Sequence, residues 1–393
     1  MDLWFWIFAA VSIPGYWLCP RPAKLYWLLV SSAVFHWHFA GPAGVAPIIA
    51  LAMATYATGL AIAVDRTTKL FAVTCSLVIG ALLFYKYSEF GLAIMTDVME
   101  AIRGVQTAPD LDWAVPAAPL AISFFTFEFV HYLYEVRVRG REPIRNPVHF
   151  AVFAIFFPSL ASGPIKRFPD FVPQLEALEN PRLEVALAGG RRVIRGLFKK
   201  VCIADLLVEV IRVFEGSPEY TAPVVLGLAV MQGFRIYYDF AGYTDIAIGL
   251  AQMLNLRIPE NFDRPYFSTS IRDFWRRWHM SLSYWIRDYI YIPLGGNRAH
   301  RSFNLLTAMT ICGLWHGASW NFAAWGLFHG LGLALEGLVA RWRPGWFDAG
   351  GVVKFGRWLV CYSYVTYGWL LFFYPLTTVW RMSVDALRWC LGG

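Results

Sequence analysis

Two stretches decide how this chain reads: RDFWRRWHMSLSYWIRDYIYIPLGGNR, Arg272 to Arg298, and CGLWHGASWNFAAWGLFHG, Cys312 to Gly330. Each sets a histidine directly after a tryptophan, His279 after Trp278 and His316 after Trp315, in surroundings too apolar to hold a lone charge. An imidazole titrates near neutrality, so a half-buried one can take and return a proton. Either histidine alone would also suit a core position with satisfied hydrogen bonds. Two of them in the densest polar-aromatic part of an apolar chain read as functional, because polar groups at membrane depth are costly and mark sites. His329 reads as a structural polar contact. A helix through the first stretch would put His279 and Ser283 on one face, and Arg276 and Met280 on another. The segment from Trp285 to Pro293 is amphipathic and aromatic and runs into Gly295 and Gly296, as a helix lying at a membrane interface would.

Working outward, 58 % of the 393 residues are hydrophobic and only 16 % are charged, a balance that excludes an ordinary soluble protein. The 18 tryptophans and 19 tyrosines suit interfacial belts. A formal charge of +7 could suggest nucleic acid, but the basic residues lie between apolar runs, where positive-inside topology accounts for them and no nucleic-acid partner is expected. The six cysteines are scattered without a CxxC pair, so neither a disulfide framework nor a metal site is indicated. The opening MDLWFWIFAAVSIPGYWL has no basic leader region and reads as a retained span.

Apolar runs long enough to cross or nearly cross a ~30 Å core recur at 3–18, 25–40, 45–64, 70–87, 118–134, 222–237, 305–320, 321–340 and 358–373. The run from Val148 to Gly163 is short and has basic flanks on both sides, RVRGREPIR and KRFPDF, so a re-entrant or tilted buried helix fits it better. Asn180 to Lys200 is the most basic stretch and reads as a cytoplasmic connection, either an anchor on anionic lipid or a landing surface for an anionic donor. With no repeat and no soluble insertion, the whole chain, 1–393, reads as one all-α polytopic membrane domain: N-terminal spans 1–117, a motif-bearing core 118–340 and C-terminal spans 341–393.

Within RIYYDFAGYTDIAIGLAQMLN, Arg235 and Asp239 stand four apart, the spacing of an ion pair on one helix face. Asp239 and Asp245 need partners or water in so apolar a segment, either as a polar clasp between helices or as chemistry. IPENFDRPYFSTSIRDFW, with Pro259, Pro265, Asn261, Asp263 and Arg264, reads as a loop entering the first histidine stretch.

NFDRPY, DFWRRWHMSLSYWIRDYIYIPLGGNR and GLWHGASWNFAAWGLFHG, with YYDFAGYTDIAIG and FFPSLASGPIKRF before them, resemble in order and content the motifs of the membrane-bound O-acyltransferases, from about Ser123 to Leu335. Nearest are the bacterial alginate-type polysaccharide O-acetyltransferases and the teichoic acid D-alanyl transfer proteins. The resemblance implies a ring of about 10–12 spans with short re-entrant helices around a central tunnel. It also implies that His316 is the catalytic histidine and His279 the second functional position. Acyl transfer from a thioester to a hydroxyl needs a base for the hydroxyl proton, and His316 is assigned that part, with His279 as partner or positioning group. Arg276, Arg277 and Arg287 are candidates for donor phosphates, or else interfacial anchors; Trp278, Ser283, Asn261, Asp239 and Trp315 are further candidates for substrate or donor contact. Ser319 and Cys312 come near His316 only if that stretch is helical, and a covalent role is not assigned to either.

The resembling acetyltransferases continue beyond the point matching Gly393, so in length the chain sits nearer the D-alanyl branch, whereas DFAGYTDIAIG and YIPLGGNR read like the acetyl branch. The expected protein is therefore a multi-pass O-acyltransferase of the bacterial inner membrane, with no permanently bound cofactor and with acetyl-CoA or an acyl carrier protein thioester as donor. Its expected acceptor is a hydroxyl of an envelope or secreted polysaccharide, reached directly or through a periplasmic partner of the SGNH type. D-alanyl transfer is the enzymatic alternative, and transport of a lipid-linked glycan the non-enzymatic one.

Overall fold

The computed structural model describes residues 3–65, 68–103, 117–160, 163–217, 219–343, 345–348 and 350–392. Met1 and Asp2 of the opening segment, residues 104–116 beside the expected boundary at 117, and Ala161 and Ser162 of FFPSLASGPIKRF lie outside the described residues. Among the described residues every regular element is helical. Three helices of the described residues are long and apolar enough to cross a membrane, Arg21–Val64, Lys69–Ile102 and Trp320–Trp342. Two compact units form, residues 1–190 with 248–258 and residues 191–247 with 259–393.

In the first unit, α1 (Leu3–Leu18) turns into α2 (Lys24–Asp65), and the buried Lys24 ammonium donates to the Tyr16 carbonyl at 2.7 Å. The spans expected at 25–40 and 45–64 are the two halves of α2. They meet at Gly41, whose φ of 61° and ψ of 177° fall where only glycine is comfortable. Pro42 follows directly, where the first turn of a helix tolerates a missing N–H. The helix α3 (Thr68–Arg103) outruns its expected end at 87 by more than four turns. Then α4 (Ile122–Arg137) leads to α5 (Pro147–Ile155), the short helix expected around 148. Asn146 caps α5 by accepting from the Val148 N–H at 2.8 Å, and nine residues make about 13 Å, too few to cross. Before α6 (Phe168–Glu176), Lys166 donates to Glu128 at 2.6 Å. Both are nearly inaccessible (2 % and 6 %), so each neutralises a charge the other could not bury alone.

The basic stretch is itself a helix, α7 (Leu183–Leu197), running through a π-turn at Phe198–Ala204 into α8 (Asp205–Glu215). Three of its six cations, Arg192, Lys199 and Lys200, are engaged inside the second unit, while Arg191 and Arg195 stay exposed. Gly196 of α7 lies against Gly242 of α9 (Ala222–Met253) so closely that a Cβ on either would stand 2.6 or 2.8 Å from the other's carbonyl oxygen. That approach lets Arg192 and Lys199 reach Asp245 at 2.9 and 2.6 Å, and Lys200 reach Asp239 at 2.7 Å. The Arg235–Asp239 pair expected from spacing does not form. Asp239 takes Lys200, while Arg235 bonds Gln232 at 3.2 Å and lies over the Phe373 ring. The aspartates of DFAGYTDIAIG form the polar clasp, and its glycine permits the crossing.

The rest of this unit is α10 (Ile271–Arg277), α11 (Met280–Ile286), α12 (Arg301–His316), α13 (Trp320–Trp342), α14 (Gly351–Phe373) and α15 (Leu376–Cys390). The hairpin of α12 and α13 is closed on glycine. A Cβ on Gly326 would run into the Met309 carbonyl and sit 2.9 Å from Thr310 Cα, and one on Gly313 would sit 3.0 Å from Gly326 Cα. The glycines of the second histidine stretch thus bring two backbones together, as small residues do between membrane helices. Behind them, Leu228 of α9, Leu370 of α14 and Met382 of α15 share a buried apolar cluster. Gly326→Ala is expected to force the hairpin apart and lower stability by about 1–3 kcal/mol. A depressed melting temperature in detergent, with Gly350→Ala unchanged as the control at an uncrowded position, is the check.

Candidate active site

The first histidine stretch is not one helix. Ser270 caps α10 by accepting from the Asp273 N–H at 3.1 Å, and the helix ends after seven residues. His279 then takes a left-handed conformation (φ 41°, ψ 54°) and starts α11, so the shared faces expected for a continuous helix are replaced by a sharp break. A non-glycine residue held there is strained and persists only if its surroundings insist. Here they do. The Met280 N–H donates to the Asn261 carbonyl at 3.0 Å, and the Ser281 N–H and hydroxyl donate to Asn261 Oδ1 at 3.2 and 2.7 Å. Asn261 Nδ2 reaches Thr244 on α9 at 3.4 Å, and the Asp263 N–H donates to the Arg277 carbonyl at 3.0 Å. The NFD segment is thus a buried brace beneath the break.

The break turns the His279 ring onto Phe240, edge to face at 4.5 Å between centroids, with Trp315 at 6.0 Å and His316 at 6.3 Å. His279 Nε2 is buried without a hydrogen-bond partner. Burial first, and the nearby His316 second, push this imidazole well below its usual range, so it is neutral at physiological pH. His316 is the last residue of α12, walled by Trp325 at 5.4 Å, Phe372 at 5.2 Å and Trp315 at 4.9 Å. The two histidines of the sequence signature stand together, near enough to act on one bound group.

A cavity of about 640 Å³ opens within the same unit, and neither histidine itself lines it. Its α12 wall is Leu305, Ala308, Met309 and Cys312, one helical face, and four residues further on that face is His316. Its α13 wall is Arg341, Gly337 and Leu333, and the same face continues inward to His329 and Trp325. Trp275 and Arg276 on α10, with Ser283 on α11 and Arg287 just past its end, bracket His279 in the chain. Each wall therefore leads one or two turns on to a histidine. Arg272, Arg276, Arg287, Arg301 and Arg341 all line this cavity. Arg287 pairs with Asp288 at 2.7 Å and Arg272 approaches Glu336 at 3.9 Å, while Arg276, Arg301 and Arg341 make no ion pair among the described residues.

Of the residues singled out in sequence, Arg276, Ser283 and Arg287 line the cavity, and Trp315 flanks the histidine pair. Arg277 does not line it; it is tied to Asp273 at 3.0 Å and Asp263 at 3.7 Å. Trp278 is buried among Phe274, Phe262 and Trp369, Asn261 is the brace, and Asp239 belongs to the clasp. Cys312 lines the cavity one turn from His316, and Ser319 lies beyond the end of α12. His329, expected as a structural polar contact, is fully buried with neither ring nitrogen hydrogen-bonded. Sequence reasoning passed over Arg272, Arg301, Arg341 and Trp275. The spacing 305, 308, 309, 312, 316 on one helical face was the signal available for the α12 wall.

Helices throughout the described residues, several of them apolar, a histidine pair of which His279 is buried, and an arginine-lined cavity in the same unit define a polytopic membrane enzyme. The profile of MBOAT, the membrane-bound O-acyltransferase family, matches residues 141–377. The chain belongs to this family and is an O-acyltransferase by membership. It is 36 % identical over 397 aligned residues to a probable alginate O-acetylase of Azotobacter vinelandii, covering 97 % of this chain and 76 % of that protein. It is 34 % identical to a peptidoglycan O-acetyltransferase of Helicobacter pylori, covering 65 % of this chain and 54 % of the relative. With a teichoic acid D-alanyltransferase of Streptococcus thermophilus the identity is 30 %, over 62 % of this chain and 60 % of the relative. Apart from the Azotobacter protein, the chain spans only about half to three fifths of these relatives' length.

Asn261→Ala strands the Ser281 donors and is expected to cost about 1–3 kcal/mol of stability while releasing the His279 turn. Transfer activity should fall more than the melting temperature alone explains, with Thr244→Val, which removes only a long contact, much milder in both measurements.

Proposed function

We propose that this chain is an inner-membrane O-acetyltransferase that takes acetyl from acetyl-CoA in the arginine-lined cavity. It passes the group to a hydroxyl of an envelope or secreted polysaccharide, directly or through a periplasmic SGNH-type partner. The observation that carries the reading is the convergence of the cavity walls on His316 and His279, with five arginines along them. Guanidinium groups suit a diphosphate because they offer forked donors and stay charged. From Arg301 to His316 is about 22 Å along α12, on the scale of an extended pantetheine arm. With phosphates at Arg276, Arg287 and Arg301, the thioester would lie beside the histidines.

In the transfer, His316 takes the proton of the attacking hydroxyl as its oxygen bonds to the acetyl carbon. The carbon–sulfur bond then breaks, and the imidazolium returns the proton to the departing thiolate. His279, neutral and facing His316, steadies that proton's position. The acetylase and acetyltransferase relatives favour acetyl as the group carried. D-alanyl transfer from a carrier protein is the second reading, favoured by the Streptococcus relative, and it would use the same histidines. Family membership displaces glycan transport.

The test is transfer by purified protein from radiolabelled acetyl-CoA to polysaccharide or partner, wild type against His316→Ala. Label transferred with release of CoA by wild type alone is expected. Transfer from a D-alanyl carrier protein but not from acetyl-CoA would move the assignment to the second reading, and undiminished transfer by His316→Ala would remove the histidine from the mechanism. Arg276→Gln and Arg301→Gln are expected to raise KM for acetyl-CoA several-fold with little change in kcat, an effect that shrinks as added salt screens the wild-type attraction.

A further inference from the structure

Three buried polar side chains stand together on the inward side of the cavity, and none has a hydrogen-bond partner: Trp275 at Nε1, Trp325 at Nε1 and His329 at both nitrogens. All are at least nine-tenths buried. They touch one another, His329 lying 5.2 Å from Trp275 and 4.9 Å from Trp325, with the two indoles 5.8 Å apart. Trp275 lines the cavity, and Trp325 stands edge-on to His316 at 5.4 Å. The trio thus occupies the ground between the cavity and the catalytic histidine. An indole N–H can only donate, and an unpaired buried donor carries the full cost of its lost hydration. A group that satisfies two such donors at once is an acceptor oxygen.

We infer that the indole N–H groups of Trp275 and Trp325 form the site for the thioester carbonyl oxygen, held beside His316 and stabilised as charge develops on it. The inference deepens the donor reading above and rests on it. As the acceptor hydroxyl oxygen bonds to the carbonyl carbon, its proton goes to His316 and the carbonyl π pair moves onto oxygen. The two N–H groups, fixed in a dry aromatic setting, meet that negative charge without reorganising. When the pair returns to re-form the carbonyl, the carbon–sulfur bond breaks, the thiolate leaves with the bonding pair and the proton passes to it from His316. His329 packs against both indoles.

The test uses the full-length protein in detergent with S-acetonyl-CoA, a ketone analogue that cannot transfer its acyl group, carrying ¹³C at the carbonyl. Its carbonyl stretch is read by infrared difference spectroscopy in the wild type, Trp275→Phe and Trp325→Phe. Bound to wild type, the stretch should move to lower frequency than in water-free solvent, and each Phe variant, which keeps a ring but loses the donor, should give part of the shift back. In turnover each variant should lose about 10²–10³-fold in kcat with little change in KM for acetyl-CoA, a split that loss of packing would not give. An unshifted stretch in wild type overturns the inference with no variant needed. So does an unchanged kcat in both variants. If wild type neither binds the analogue nor transfers acetyl, it is the donor reading that has failed, and the two failures are told apart by binding.

Discussion

The backbone contact between α12 and α13 is the constraint on which the site depends. Because Gly313 and Gly326 carry no side chains, the two helices touch along their axes, and that contact sets His316 against Trp325 and aligns the inward faces of both helices as opposite walls of one cavity. A membrane offers no hydrophobic drive for two apolar helices to associate, so close packing through small residues supplies it. The same device recurs where Gly196 meets Gly242, and there it decides which carboxylates the basic helix can reach. At these two crossings glycine acts through absence of bulk, whereas Gly41, at the break in α2, acts through freedom of φ.

Polar groups in this apolar chain fall into two kinds. Lys166 with Glu128, the Asp245 cluster and the Asn261 brace are saturated: each buried donor or acceptor meets another at hydrogen-bond distance. They fix where helices lie and are rigid because breaking any one exposes the cost of the rest. The other kind is unsaturated, and it occurs in several places, Tyr16 and Thr55 among them; beside the histidine pair it comprises His279 Nε2, His329, and the indoles of Trp275 and Trp325. Of these, Trp275 also lines the cavity, where a group that is not part of the chain can come near it.

Much of this was legible in the sequence. The composition required membrane helices, and the two tryptophan–histidine stretches carried both the family and the histidine pair that the fold brings together, because aromatic-rich polar motifs at depth have few structural uses. What was illegible depended on tertiary contacts. Spacing placed Arg235 beside Asp239, but the Gly196–Gly242 crossing delivered Lys200 to that carboxylate first. Arg277 reads like Arg276, yet one turns to Asp273 and the other to the cavity, a distinction made by the end of α10 between them and the break. The break itself is invisible in sequence, since WRRWHMSLSYW has no glycine or proline, and the left-handed turn is imposed from a segment some 18 residues earlier through Asn261.

That distant imposition bears on how the site works. A histidine in a regular helix would sit wherever the helix axis put it, and its ring would move with every shift of the bundle. His279 is instead held by hydrogen bonds from its own chain neighbours to one buried amide, so its position against Phe240 and His316 follows the brace rather than the helices. The strain of a positive φ is the consequence of that choice, and the saturated network around Asn261 is what makes the strain sustainable. His316 is fixed differently, by rings on three sides at the very end of α12, where the helix stops before Gly317. One histidine is thus set by hydrogen bonds to Asn261 and the other by packing, and the two rings meet at 6.3 Å between centroids from two independently fixed supports.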